Sequence, residues 1–96
     1  MSYSFHPSAE AEFLEAFDYY ELCREELGTQ FAVEIHAAID RILAYPGAWP
    51  VLAGSVRRCQ TATFPYGVVC TETRNGIHIL AVMHLHRRSD YWRDRE

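Results

Sequence analysis

Apolar positions recur at helical spacing through the first half of the chain and at strand spacing through the second. Tyr3-Ser4-Phe5 alternates ahead of His6-Pro7 and reads as a short first strand; Pro7 ends the extended run and Ser8 is placed to cap a helix beginning near Ala9. Phe13, Ala16, Phe17, Tyr20 and Leu27 then recur at spacings of three, four and seven, while Glu10, Glu12, Glu15, Asp18, Glu21 and Glu25 fall largely elsewhere. This predicts an amphipathic helix ending at Gly28. A second helix is expected with Thr29 as its cap and Phe31, Ile35, Ala38, Ile39 and Ile42 along one face, stopped by Tyr45-Pro46-Gly47.

Beyond Pro50 the period changes, and extended segments are expected over residues 56–64, 67–73 and 77–85. The last two flank Arg74-Asn75-Gly76, and Asn-Gly accepts the positive φ angles of a tight turn, so these strands pair as an antiparallel hairpin. The order strand, helix, helix, strand, strand, strand predicts one α+β domain over residues 1–96. It consists of a short N-terminal strand, a helical hairpin and a three-stranded antiparallel meander, with the helices packed on one face of the sheet. Strict alternation in the last strand would put His78, His84 and His86 on the face away from the helices, or at its rim.

Composition narrows the class. With 49% apolar and 23% charged residues the chain resembles an ordinary globular domain. Its longest apolar run, residues 77–85, falls well short of the roughly 20 residues of a membrane span. The first residues lack a basic segment followed by an apolar stretch, so no secretory signal is read and a cytoplasmic location is expected. Cys23, Cys59 and Cys70 are an odd set without Cys-x-x-Cys spacing, which disfavours disulfides and structural zinc and suits small core residues. The net charge of −4 hides an asymmetry: residues 1–48 carry −7 and residues 49–96 carry +3. Any anion-facing surface therefore belongs to the C-terminal half.

Two constellations deserve chemical weighing. His84 and His86, with His78 at the same parity, raise a metal site, but no Asp, Glu or Cys stands at complementary spacing on that strand, and no metal or cofactor is expected. Arg57-Arg58 and Arg87-Arg88 flank the sheet; brought together with His84, His86 and Tyr91 they would form a basic patch with proton-transfer groups, able to hold and cleave a phosphodiester. The plainer account is a solvated sheet end whose Arg residues pair with Asp90, Asp94 or Glu96. The five glycines are scattered at breaks between elements, which argues against a phosphate loop. Ser89-Asp90 follows the His pair without a nucleophile elbow. Trp49 and Trp92 fall in loop and tail positions that more often seal a core edge than stack a base.

Taken together, Phe5-His6-Pro7-Ser8-Ala9-Glu10-Ala11-Glu12, Ala16-Phe17-Asp18-Tyr19-Tyr20, Leu27-Gly28 with Phe31, Ile42 to Pro46, Trp49-Pro50, Arg57-Arg58, Phe64-Pro65-Tyr66, and Ala81-Val82-Met83-His84 leading to Arg87-Arg88-Ser89-Asp90-Tyr91-Trp92 and Arg95 resemble the RelE/ParE superfamily of toxins from type II toxin–antitoxin modules. The resemblance runs almost end to end. It implies a small α+β toxin neutralised by a cognate antitoxin whose C-terminal segment wraps the helical pair and sheet. One branch of the superfamily cleaves messenger RNA in the ribosomal A site; the ParE-like branch binds DNA gyrase without nuclease chemistry.

Tyr91 stands where the RNase branch has its catalytic Tyr, but Leu85 stands where that branch has an Arg, and Cys70-Thr71 replace the Tyr-Arg of many ParE-like relatives. An enzyme working within ribosomal RNA benefits from high positive charge, which a chain at −4 lacks. The expectation is therefore a ParE-like gyrase inhibitor with Arg57, Arg58, Arg87, Arg88, Tyr91, Trp92 and Arg95 as the target-binding set. The alternatives are a ribosome-dependent RNase using His84, His86, Arg87 and Tyr91, or a degenerate, non-toxic member.

Overall fold

The computed structural model describes residues 2–87 and 90–96. The chain runs β1 (Tyr3–Phe5), α1 (Pro7–Cys23), α2 (Leu27–Ala44), β2 (Val51–Ala53), β3 (Val56–Gln60), β4 (Tyr66–Thr73) and β5 (Gly76–His84), and closes with a 3₁₀ turn at Arg93–Arg95. The strands form a five-stranded sheet in the order β1-β5-β4-β3-β2. β1 lies parallel to β5 and the other pairs are antiparallel. The α+β class, the leading strand, the helical hairpin and the meander are as the sequence predicts. The short strand β2 was not anticipated; it adds to the edge of β3 with an irregular register.

The helices cover one sheet face. Phe31, Ile35, Ala38, Ile39 and Ile42 of α2, with Ala9 and Ala16 of α1, bury against Cys59, Val68, Cys70, Ile77, Ile79 and Val82. A second, smaller apolar cluster lies on the other face, where Val56, Val69, Leu80, Ala81 and Met83 are covered by Trp92 of the tail. The central strands are thus buried from both sides. That explains the unbroken apolar run Ile79–Met83, which strict alternation does not account for.

Helix ends differ from the sequence reading. α1 is already helical at Pro7, whose ring suits the first turn, and the Nδ1 of His6 accepts the Ser8 amide, so His6 rather than Ser8 caps it. α1 stops at Cys23, and the left-handed residue of the connection is Glu26 (φ 69°), not Gly28. Gly28 lies inside α2 at the helix crossing, where an added Cβ would come within 2.6 Å of the Phe17 carbonyl oxygen. Close approach, not chain reversal, is why glycine stands there. The cap of α2 comes from across the hairpin: Oε1 of Glu21 accepts the amides of Gly28 (2.8 Å) and Thr29 (3.3 Å), so Thr29 is capped rather than capping. Cys23 is exposed, unlike the buried Cys59 and Cys70.

β3 ends at Gln60, four residues before the run predicted to reach Phe64, because Thr61 closes a turn by donating to the Phe64 carbonyl at 2.7 Å. Glu34 of α2 clamps that turn. Its carboxylate accepts the Thr63 amide at 2.9 Å and the Thr63 hydroxyl. The Asn75-Gly76 turn forms as expected, with Gly76 at φ 121° and no room for a Cβ against the Ser2 carbonyl. Val69 pairs with Ala81 and Cys70 with Ile79, leaving Leu80 as an extra residue in β5. This bulge reverses the alternation beyond it. His78, opposite Thr71, lies on the far face with Val56, whereas His84, opposite Tyr66, lies on the helix face. The three histidines therefore do not share a face.

Candidate functional site

The tail returns across the fold and meets α1 at one acidic residue. Oε1 of Glu12 accepts both the Val82 amide at 3.1 Å and Nη1 of Arg95 at 3.0 Å; the same Nη1 donates to the Leu80 carbonyl at 3.1 Å. Nη1 of Arg87 lies 3.9 Å from Oε2 of Glu12. The Tyr91 ring lies between the two cations, with the guanidinium carbon of Arg87 at 4.0 Å and that of Arg95 at 4.9 Å from its centre. Arg87, Tyr91 and Arg95, three members of the predicted target-binding set, are thus one unit organised by Glu12.

Exposure divides the unit. The Arg87 side chain is 56% exposed, whereas those of Arg95 and Glu12 are each 14% exposed. Burial works against the charge of Arg95, but the hydrogen bond and charge of Glu12 outweigh it, and the guanidinium stays cationic. Burial, reinforced by the Glu12 charge, pushes the Tyr91 phenol far above its ordinary range despite the nearby guanidinium groups. The phenol therefore stays protonated throughout the physiological range.

The other expected members scatter. Trp92 is buried in the far-face core, so its side chain supports the tail from beneath. Arg57 and Arg58 are adjacent on a strand and point to opposite faces. Arg57 donates to the Trp49 carbonyl at 2.8 Å, and the stem of Arg58 covers Gly67 on the far face beside Leu85. The four-arginine patch imagined from sequence is divided in this way, and Arg88 lies outside the described residues.

His84 and His86 do approach, their ring centres 5.1 Å apart, with Tyr66 against His84 at 5.2 Å. Nδ1 of His84 accepts the His86 amide at 3.1 Å, which places the proton of the neutral ring on Nε2. Among the described residues no group of three or more His, Cys, Asp or Glu side chains is placed to hold a metal ion.

Glu12 was missed as a site residue because it was read with the acidic face of α1. Its spacing carried a signal: Ala9, Glu12, Ala16 and Tyr20 lie three or four residues apart, so Glu12 falls on the buried stripe. On the outer side of the hairpin, Phe17, Ala32, Val33 and Ala37 line an open groove of about 500 Å³, edged by Thr29, His36 and Asp40. Among the described residues no helix is long and apolar enough to cross a membrane.

Comparison with known proteins agrees with this architecture. No curated protein matches the chain at significance. A solved structure titled "Chromosomal ParDE TA system from P. aeruginosa" superposes with a TM-score of 0.76 at 20% identity, covering 90% of this chain and 97% of that one, a likeness of fold. The model of the family described as "ParE toxin of type II toxin-antitoxin system, parDE" matches residues 3–91, which span every strand, both helices and the tail as far as Tyr91. The chain belongs to that ParE toxin family.

Proposed function

We propose that this chain is a growth-inhibiting toxin of the cytoplasm that binds DNA gyrase through its C-terminal tail and is neutralised by a cognate antitoxin. The observation that carries the reading is the stack of Arg87, Tyr91 and Arg95 on Glu12: an exposed cation beside a neutral aromatic ring, held by a partly buried ion pair, suits docking to a partner. The antitoxin is assigned the outer groove of the α1–α2 hairpin, whose apolar lining suits one face of an amphipathic helix.

The test is inhibition of gyrase supercoiling by the purified chain, with Arg87→Ala and Tyr91→Ala alongside. Each variant should weaken inhibition by about tenfold. Full inhibition by both, at wild-type thermal stability, would refute the tail as the docking element. The approach of the His84 and His86 rings keeps a second reading, a ribosome-dependent RNase, within the same experiment. Messenger RNA cut in the A site with supercoiling intact would select it, and harmless expression without antitoxin would point to a degenerate member.

A further inference from the structure

β1 covers the edge of β5 from Ile77 to Ile79 and no further; the His6 amide makes the last bond of that ladder, to the Ile79 carbonyl at 2.8 Å. Downstream, Leu80 and Val82 turn a carbonyl and an amide toward the uncovered edge, and a free strand edge is an invitation to pairing. These two groups are taken by side chains, the Leu80 carbonyl by Arg95 and the Val82 amide by Glu12, which are themselves bonded to each other. An acid from the first helix and a base 83 residues later thus close the edge together and tie the tail to it.

The same carboxylate also settles a conflict of charge. Arg87 and Arg95 approach one Tyr91 ring from within 5 Å, and like charges so placed repel. Glu12 reaches both, directly to Arg95 and at 3.9 Å to Arg87. It neutralises the partly buried Arg95 at close range and reaches the 56% exposed Arg87 only at 3.9 Å, which leaves that guanidinium open to a partner. We propose that Glu12 is the positioning residue of the docking surface: it anchors the tail through Arg95 and thereby presents Arg87 outward beside the half-buried Tyr91 ring. The target in this inference rests on the gyrase reading above, whereas the anchoring does not.

The experiment compares the full chain with Glu12→Gln, Arg87→Ala and the double variant, Glu12→Gln being nearly isosteric and keeping an oxygen for the Val82 amide. Supercoiling inhibition should fall about tenfold in Glu12→Gln, and the double variant should be no weaker than Arg87→Ala, because a residue acting through another adds nothing once that other is gone. In the free protein, the Arg93 and Arg95 amides, which bond to the Asp90 and Trp92 carbonyls, should exchange faster in Glu12→Gln than in the wild type. Losses that add in the double variant, or unchanged exchange of these tail amides, overturn the proposal. If the wild type leaves gyrase untouched, the target reading fails, and the tail exchange alone decides the anchoring.

Discussion

On its helix side the sheet is covered by two continuous elements: α2 brings Phe31, Ile35, Ile39 and Ile42 down on Val68, Cys70, Ile77 and Ile79, and α1 closes the flank with Ala9 and Ala16. On the opposite side, Val56, Val69, Leu80, Ala81 and Met83 owe their cover to Trp92, assisted by Tyr91 and by Leu52 and Ala53. The first cover has many redundant contacts within a regular helix. The second depends on one indole and on the ion pair of Glu12 and Arg95 that fastens the tail. The contrast separates a framework from a fitting: the helix side holds the fold together, and the tail side shapes the surface proposed above for docking.

Substitutions on the two sides test this contrast. Phe31→Ala should have the largest effect, about 4 kcal/mol, because the fully buried ring meets Phe13, Tyr20, Phe64 and Tyr66 and its loss opens the centre of the helix-side core. Chemical denaturation would read it. Trp92→Ala should cost somewhat less, about 3 kcal/mol, and leave a helical hairpin whose amides still exchange slowly; equal loss of protection in α2 would show the two sides to be one cooperative unit.

Gly28→Ala follows at about 2 kcal/mol, since the new methyl meets the Phe17 carbonyl and the Glu21 stem that caps α2. A thermal melt with unchanged gyrase inhibition would place this change wholly in the framework.

A pH effect is expected at Glu34. Burial works against its charge, yet hydrogen bonds from the Thr63 hydroxyl and the Thr63, Phe64 and Ala62 amides outweigh burial and hold its pKa below the ordinary range. The folded value lies below the unfolded one, so the stabilisation is complete above an unfolded pKa of about 4.3 and fades as pH falls through the folded value. Glu34→Gln should therefore lower the melting temperature at neutral pH and flatten its fall on the acid side. A parallel acid limb in the two proteins would assign the loss to other carboxylates. Least of all, Leu22→Ser, at a position 89% exposed, should change stability by less than about 0.5 kcal/mol.

Much of the framework is legible in local patterns. The stripe Phe31, Ile35, Ala38, Ile39, Ile42 is buried throughout, and Asn75-Gly76 turns the hairpin where expected. These features follow from residues within a few positions of one another, where periodicity and φ preference act directly. Reading fails where one residue shifts a register or a distant one supplies a partner. The bulge at Leu80 separates His78 from His84, and no composition rule marks it. The capping of α2 by Glu21, the splitting of Arg57 from Arg58 and the burial of Trp92 likewise depend on neighbours brought in by the fold.

From the sequence by itself come the α+β class, the order of the main elements, the helix-side core, the charge asymmetry and the resemblance to toxins, because each rests on patterns repeated or contiguous along the chain. Tertiary structure alone decided which basic residues stand together. Only closure of the β5 edge brings Glu12 to Arg95, and only that meeting neutralises one arginine, exposes another and sets Tyr91 between them, since Coulomb and hydrogen-bond partners are chosen by distance in space and not by distance in sequence.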